Sequence, residues 1–260
     1  MSEKVEKSGR DWQPYLAERE QPEGLVVMYQ RWSELLFLHW TFEASTIQAM
    51  LPQGLTVDVY DGKAWLGVVP FQMSGVRPRG LPSLPGVSNF PELNLRTYVR
   101  DAAGRPGVWF FSLDTPQRMA NWIARTFFHL NYRQARFDLG QRGMRVSYRS
   151  ELKLADGWDT PQHYQWERQD DVSTVDVGSL EFFLAERYRL FAYDWAKSKL
   201  YTGRVHHAPY PLESAEVTAC SKRLFPSNGL SEPVGGPEHV MASGGVDVCV
   251  YPLRLVADSS

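Results

Sequence analysis

The run 56-TVDVYDGKAWLGVVPF-71 limits the fold more than any other part of this 260-residue chain. Asp61-Gly62 separates two segments rich in strand-forming residues. A two-residue type I′ turn needs positive φ at both central positions, and Asp-Gly supplies it. The stretch therefore reads as a β-hairpin. A second hairpin follows from ELNLRTYVR (92–100), a DAAGRPG connection and VWFFSL, and a third from RYRLFAYD and LYTGRVHH. LLFLHW (35–40), RVSYRSEL and VDVCVYPLRL read as further strands. Helical signals are short and few. One segment carries Ile47, Met50 and Leu51 on one face and stops at Pro52-Gln53-Gly54. Another starts at Thr115-Pro116 and repeats Met119, Trp122, Ile123, Phe127 and Leu130. The third is SLEFFLAE, capped by Ser179. Strands joined by hairpins suit a closed barrel or sandwich better than βαβ units.

Residues 1–24 are polar and without period, and read as a flexible N-terminal arm. Residues 25–258 read as a single domain, with no internal repeat and no linker. Two segments rich in Pro and Gly, 74–91 and 226–245, read as loops, and 155–171 as a polar connection. A long loop in a compact domain is commonly functional, and 74–91 runs directly into Glu92.

The net charge is −2 and no Lys/Arg-rich run occurs, which argues against nucleic-acid or anionic-membrane partners. No apolar run reaches the roughly 18–20 residues that span a bilayer, and the first 24 residues lack an apolar signal core. A soluble, cytoplasmic protein is expected, and a homo-oligomer is left open. The two cysteines, Cys220 and Cys249, form no CxxC pair and read as reduced thiols. Nucleotide-binding, serine-hydrolase and zinc-protease motifs are missing. Of six histidines, none is spaced i,i+4 on a helix, and the adjacent His206 and His207 point to opposite faces of a strand. No metal and no cofactor are expected.

The blocks His39-Trp40, Pro52-Gln53-Gly54-Leu55, DGKAWLGVVPF, FPELNLRTYV, GVWFFSLD, ARTFFHLNYRQA, FLAERYRL and HHAPYPL resemble the uncharacterised bacterial YqjF-like family. That family is grouped with the acetoacetate-decarboxylase-like superfamily. The resemblance implies a mostly antiparallel closed β barrel or cone around a central cavity. It also implies a site built on a Schiff-base lysine, two glutamates and an arginine. One glutamate position falls on Glu92 and the other on Gln72, while the arginine lies near His39. The lysine positions fall on Tyr132 and Arg133, and neither can form an iminium. The other lysines of the chain occupy tail, turn or polar contexts, so Schiff-base decarboxylation is not expected.

ELNLRTYV poses the sharpest question. Leu93, Leu95, Thr97 and Val99 form one row, and Glu92, Asn94, Arg96 and Tyr98 the other. Alternation alone favours a solvated polar row, whereas the resemblance turns it inward. Two functions are consistent with an inward row. The cavity binds a small organic molecule, a carboxylate or keto acid fitting Arg96, through His39, Gln72, Asn94, Arg96, Tyr132 and Arg133. Alternatively, the protein is an enzyme of small carbonyl or carboxylate substrates with Glu92 as general acid or base.

Overall fold

A computed structural model describes residues 9–116 and 129–256. The chain begins with a short helix, α1 (Gln13–Ala17), and a long strand, β1 (Met28–Phe42). Helix α2 (Ala44–Gln48) buries Ile47. Strands β2 (Leu55–Val57) and β3 (Val59–Tyr60) lead into β4 (Lys63–Pro78). The turn between β3 and β4 has φ of 50° at Asp61 and 76° at Gly62, as the Asp-Gly signal requires. Next come β5 (Phe90–Asp101), β6 (Pro106–Thr115), β7 (Tyr132–Arg142), β8 (Arg145–Leu154), β9 (Gly157–Trp158) and β10 (Gln162–Arg168). Helix α3 (Leu180–Ala185) starts at Ser179, whose hydroxyl accepts from the Phe182 amide. The remaining strands are β11 (Arg189–Asp194), β12 (Lys199–His206), β13 (Leu212–Glu213), β14 (Ala215–Cys220), β15 (His239–Val250) and β16 (Arg254–Leu255).

Seven strands close a ring in the order β1, β4, β5, β6, β11, β12, β15 and back to β1. The closure is mostly antiparallel, with one exception in the ring. β6 pairs in parallel with β11 inside the ring and with β7 outside it. From β7 a second layer, β7–β8–β10–β14, leaves the ring. It covers the ring's outer face, where Val146, Tyr148, Tyr164 and Trp166 share a core with Leu38, Leu66, Leu93 and Leu95. A separate core fills the interior with Phe37, Val69, Phe71, Tyr98, Phe183 and Val248. β5 is thus buried on both faces.

A bulge in β1 decides which residues face in. Glu34 has φ of 50°, and the β1–β4 register shifts between Ser33 and Leu38. An extra residue in one strand reverses the parity of the residues beyond it. Gln30 and Trp32 point inward before the bulge, and Phe37 and His39 after it.

Several expected boundaries move. Residues 9–24 do not form a loose arm, because Tyr15 is buried and ion pairs clamp the segment, among them Arg204 on Glu18 at 2.8 Å. Arg10 meets Asp58 at 3.0 Å, Glu18 meets Arg189 at 2.7 Å and Arg19 meets Glu186 at 2.8 Å. The 74–91 loop contracts to 79–89, since β4 continues to Pro78 against Met28. The 226–245 loop ends at His239, where β15 begins. β10 lies in the segment read as a polar connection, and β7 and β14 lie in segments given no secondary-structure reading. In β7, Ala135, Phe137 and Leu139 alternate with polar residues, and in β10 Tyr164 and Trp166 do so. The helix expected after Thr115 lies mostly outside the described residues.

Glu186 and Arg187, adjacent in sequence, do not pair with each other. Glu186 takes Arg19 and the Tyr188 hydroxyl, while Arg187 reaches Asp58 at 2.9 Å. Asp58 is fully buried and receives Arg10, Arg100, Arg187 and the Tyr15 hydroxyl. Neutralising it strands Arg187 in the interior. Asp58→Asn is expected to cost roughly 3 kcal/mol or more of unfolding free energy in urea titrations. A loss below about 0.5 kcal/mol, the range of surface substitutions, would mean that the cluster does not anchor the N-terminal segment.

Candidate functional site

Inside the ring lies a cavity of about 80 Å³. That is two to three times the roughly 30 Å³ share of one liquid water. β5 contributes Glu92, Asn94 and Arg96 to its wall, β4 contributes Val69, Phe71 and Met73, and Tyr132, Tyr210 and Trp32 complete the aromatic part. The polar row of ELNLRTYV therefore faces inward, and its leucines pack beneath the second layer.

The polar groups of this wall are under-used. Glu92 is 2% exposed. One carboxyl oxygen accepts a long 3.4 Å hydrogen bond from the Asn94 amide, and the other has no protein partner. Asn94 Oδ1 and Arg96 Nε are also buried without a partner. Arg96 donates from Nη2 to the Leu184 carbonyl at 3.3 Å and to the Tyr98 hydroxyl at 3.4 Å. Its guanidinium lies over the Phe37 and Tyr98 rings. Among the described residues no carboxylate comes within ion-pair range of it. Glu92 and Arg96 stand four residues apart on one strand, about 13 Å along its axis, which keeps the two side chains out of direct contact.

Burial dominates the electrostatics. Loss of water pushes the Glu92 carboxyl up to about 8, against a smaller downward pull from Asn94, and nearby Asp114 adds to the rise. A glutamate with this environment is mostly protonated at neutral pH and can donate a hydrogen bond. Burial likewise raises the Tyr132 phenol well above its ordinary value, with Glu92 contributing.

The expected site residues divide. Glu92, Asn94, Arg96 and Tyr132 meet at the cavity. Arg133 does not join them, because it makes a two-pronged ion pair with Asp114 (Nε–Oδ1 2.6 Å, Nη2–Oδ2 3.0 Å) and also reaches the Ser227 carbonyl. Gln72 is absent from the lining; Phe71 and Met73 face the cavity, so period two turns Gln72 away. His39 is buried one step beyond the lining and touches Tyr98 rather than the cavity. Gln30, Trp32 and Tyr210 line the cavity without any sequence signal that marks them. The first two are placed by the β1 bulge, which no local pattern announces. Lysine is not among the lining residues. The described lysines sit at the surface or near it, as with Lys63 on Glu43 and Lys222 on the Pro233 carbonyl. No group of three His, Cys, Asp or Glu among the described residues is arranged to hold a metal ion. No helix among them is long and apolar enough to cross a membrane.

The raised Glu92 carboxyl has a consequence for stability. Its folded-state pKa exceeds the ordinary value near 4.3, so the folded protein holds a proton that the unfolded chain releases. The linked stabilisation is complete below about pH 4 and is lost as pH rises through 8. Relative to Glu92→Gln, the unmodified protein should lose unfolding free energy between pH 5 and 8 with a slope approaching about 1.4 kcal/mol per pH unit. Urea denaturation of both proteins across that window measures it. Parallel pH profiles would show that Glu92 is not buried as a neutral acid.

Comparison with solved structures gives the same architecture. The enduracididine biosynthesis enzyme MppR complexed with pyruvate aligns with a TM-score of 0.60 at 13% identity, covering 93% of this chain and 95% of MppR. An acetoacetate decarboxylase-like enzyme from Sphingomonas wittichii RW1 aligns with a TM-score of 0.58 at 12% identity, over 90% and 94% of the two chains. Acetoacetate decarboxylase from Legionella pneumophila gives 0.59 at 12% identity, over 92% of each. At such identities the likeness is one of fold, and the ring is an acetoacetate decarboxylase-like fold. In sequence, the chain is 38% identical over 233 residues to the uncharacterized protein YqjF of Bacillus subtilis (strain 168), covering 90% of this chain and 94% of YqjF. Residues 29–247 match the model of an uncharacterized conserved protein family, DUF2071, and this chain belongs to that family.

Proposed function

We propose that the ring cavity binds a small organic acid, a carboxylate or keto acid of a few carbons, without forming a Schiff base. The observation that carries this is Arg96, a buried guanidinium with no acid partner, facing a cavity that also holds the unpartnered Glu92 and Asn94 oxygens. A buried cation without a counter-charge is costly. A ligand carboxylate would supply that charge through Arg96. At the far end, protonated Glu92 donates to a carbonyl or hydroxyl oxygen, and Val69, Phe71 and Met73 close around the carbon skeleton. The cavity volume of about 80 Å³ restricts the ligand to a few carbons. MppR, similar in fold, is described in complex with pyruvate, which makes pyruvate and acetoacetate sensible first ligands.

Calorimetric titration with pyruvate tests the reading. Binding should be weakened roughly ten- to a hundredfold in Arg96→Gln, the value of a charge-assisted hydrogen bond. The same substitution should leave the stability of ligand-free protein unchanged or raised, because it strands no carboxylate. A cost of about 3 kcal/mol in the ligand-free protein would mean that Arg96 is spent on the fold and not held for a ligand. Borohydride added with pyruvate should leave the intact mass unchanged; a stoichiometric adduct on any lysine would overturn the non-covalent reading.

A second reading rests on Glu92 itself. A carboxyl that titrates near neutrality beside a bound keto acid is suited to move a proton at the carbon next to the carbonyl. Pyruvate methyl protons would then exchange with deuterium oxide in the presence of the protein and not with Glu92→Gln. Equal exchange in both would leave the protein a binder.

A further inference from the structure

Behind the cavity a line of polar side chains runs out to the surface. Arg96 Nη2 donates to the Tyr98 hydroxyl at 3.4 Å, and that hydroxyl lies 2.7 Å from His39 Nε2. His39 Nδ1 faces His239 Nδ1 at 3.3 Å, and His239 Nε2 faces Glu181 Oε1 at 3.5 Å. His39 is fully buried, whereas the Glu181 side chain is 46% exposed. The strands are in register to make this line. His239 is opposite His39, His39 opposite Gly67, and Gly67 opposite Arg96. Gly67 supplies the gap. A Cβ there would stand 3.1 Å from the His39 ring and 3.5 Å from the Tyr98 hydroxyl.

The two ends fix the direction of every hydrogen bond between them. Arginine only donates, and an ionised carboxylate only accepts. Tyr98 oxygen therefore accepts from Arg96 and gives its own proton to His39 Nε2. His39 then carries its proton on Nδ1 and donates to His239 Nδ1, and His239 donates from Nε2 to Glu181. Both imidazoles are neutral in this arrangement. Burial, each other's proximity and Arg96 hold His39 well below its ordinary titration range, and burial lowers His239 against the pull of Glu181. Among the described residues, Arg187 lies over the Tyr98 ring, and His207 and Tyr210 stand within electrostatic reach of Arg96.

One added proton reverses the line. With His239 protonated at both nitrogens, its Nδ1 donates to His39 Nδ1. His39 must then hold its proton on Nε2 and donate to Tyr98. Tyr98 oxygen now accepts from both Arg96 and His39, and its own O–H is released. Tyr98 stands just behind the cavity lining, and an anion seated on Arg96, whose Nη2 is 3.4 Å from the Tyr98 oxygen, would supply the acceptor.

We infer that Tyr98 is a second ligand-binding group, and that seating a carboxylate on Arg96 is coupled to uptake of one proton by the His39–His239 pair. This rests on the organic-acid reading above. The proton count balances: one anion and one proton enter, Tyr98 keeps its hydrogen and redirects it, His39 exchanges Nδ1–H for Nε2–H, and His239 becomes the imidazolium facing Glu181.

Two measurements test this. Nitrogen-15 shifts of the imidazoles read the tautomers without any ligand. In the ligand-free protein above pH 7, His39 should be protonated on Nδ1 and His239 on Nε2. As His239 titrates, the His39 proton should move to Nε2, and His239→Gln should abolish that move. A His39 tautomer unchanged across the titration, or the opposite one at high pH, overturns the inference even if no acid tried binds. Calorimetry with pyruvate between pH 6 and 7.5, in buffers of different ionisation enthalpy, should show uptake approaching one proton and affinity falling toward tenfold per pH unit. This window lies below the Glu92 titration near 8. Tyr98→Phe and His239→Gln should flatten the profile. Pyruvate binding with no proton uptake refutes the coupling and leaves the organic-acid site standing.

Discussion

Burial of both faces of the ring is the constraint on which most of this structure depends. A seven-stranded ring hides its inner face by closing, but its outer face stays open until something covers it. Here the chain covers it with its own second sheet. The parallel β6–β7 pairing hands the chain from one layer to the other. Once that sheet is in place, Leu93 and Leu95 are as buried as any inner residue, and the inner face of the same strand need not be apolar to hold the fold together. Hydrophobic stabilisation of β5 comes from its outer row. Its inner row can then carry Glu92, Asn94 and Arg96, residues that cost stability where they stand.

The same constraint sets what was legible in the sequence. Hairpins are local, and Asp61-Gly62 announces its turn because only a few residues accept its dihedral angles. Ser179 announces α3 for a similar reason. The row Glu92–Asn94–Arg96–Tyr98 was legible as a row, because period two is a property of the strand alone. Which side it faced was not, since alternation looks the same whether the polar side meets water or a cavity. Gln72 and Arg133 fail differently. Aligned positions placed both at the site, but Gln72 sits one residue out of phase with Phe71 and Met73, and Arg133 is taken by Asp114. β10 was hidden by its composition, His, Gln, Glu and Arg surrounding the two aromatic residues that bury it. Neither the β1 bulge at Glu34 nor the clamp of residues 9–24 can be read locally, because both depend on partners far along the chain.

The charges beneath the N-terminal segment differ from those in the cavity in a way that separates structure from function. Asp58 is as buried as Glu92, yet it meets three guanidinium groups and a phenol. Its cost of burial is offset locally, and the cluster ties the N-terminal segment to the segment after α3. Arg187 belongs to this group, although it lies only 5.0 Å from the Tyr98 ring that the cavity side also uses. Arg96, also stacked on that ring, meets among the described residues a carbonyl, a hydroxyl and two aromatic faces, and no carboxylate. Two arginines beside one tyrosine thus sit in opposite electrostatic conditions. The first is neutralised by the protein, and the second is held against a space.

That asymmetry bears on what chemistry the cavity can support. An iminium mechanism needs a neutral amine, and the lining offers none; where the superfamily pattern sets its lysines, this chain has a phenol on the cavity and a guanidinium turned to Asp114. The cavity retains a proton-bearing carboxyl at one end and a fixed positive charge at the other, with Asn94 and apolar side chains between them. On the proposed reading such a pair would polarise a small acid along its length without bonding to it. The carboxyl end is governed by desolvation, so its protonation tracks how dry the cavity is. The guanidinium end is joined through the Tyr98 hydroxyl to His39 and His239, the link on which the proposed proton coupling rests. On the proposed organic-acid reading, water content and surface protonation would act on opposite ends of one ligand, with no moving lid required.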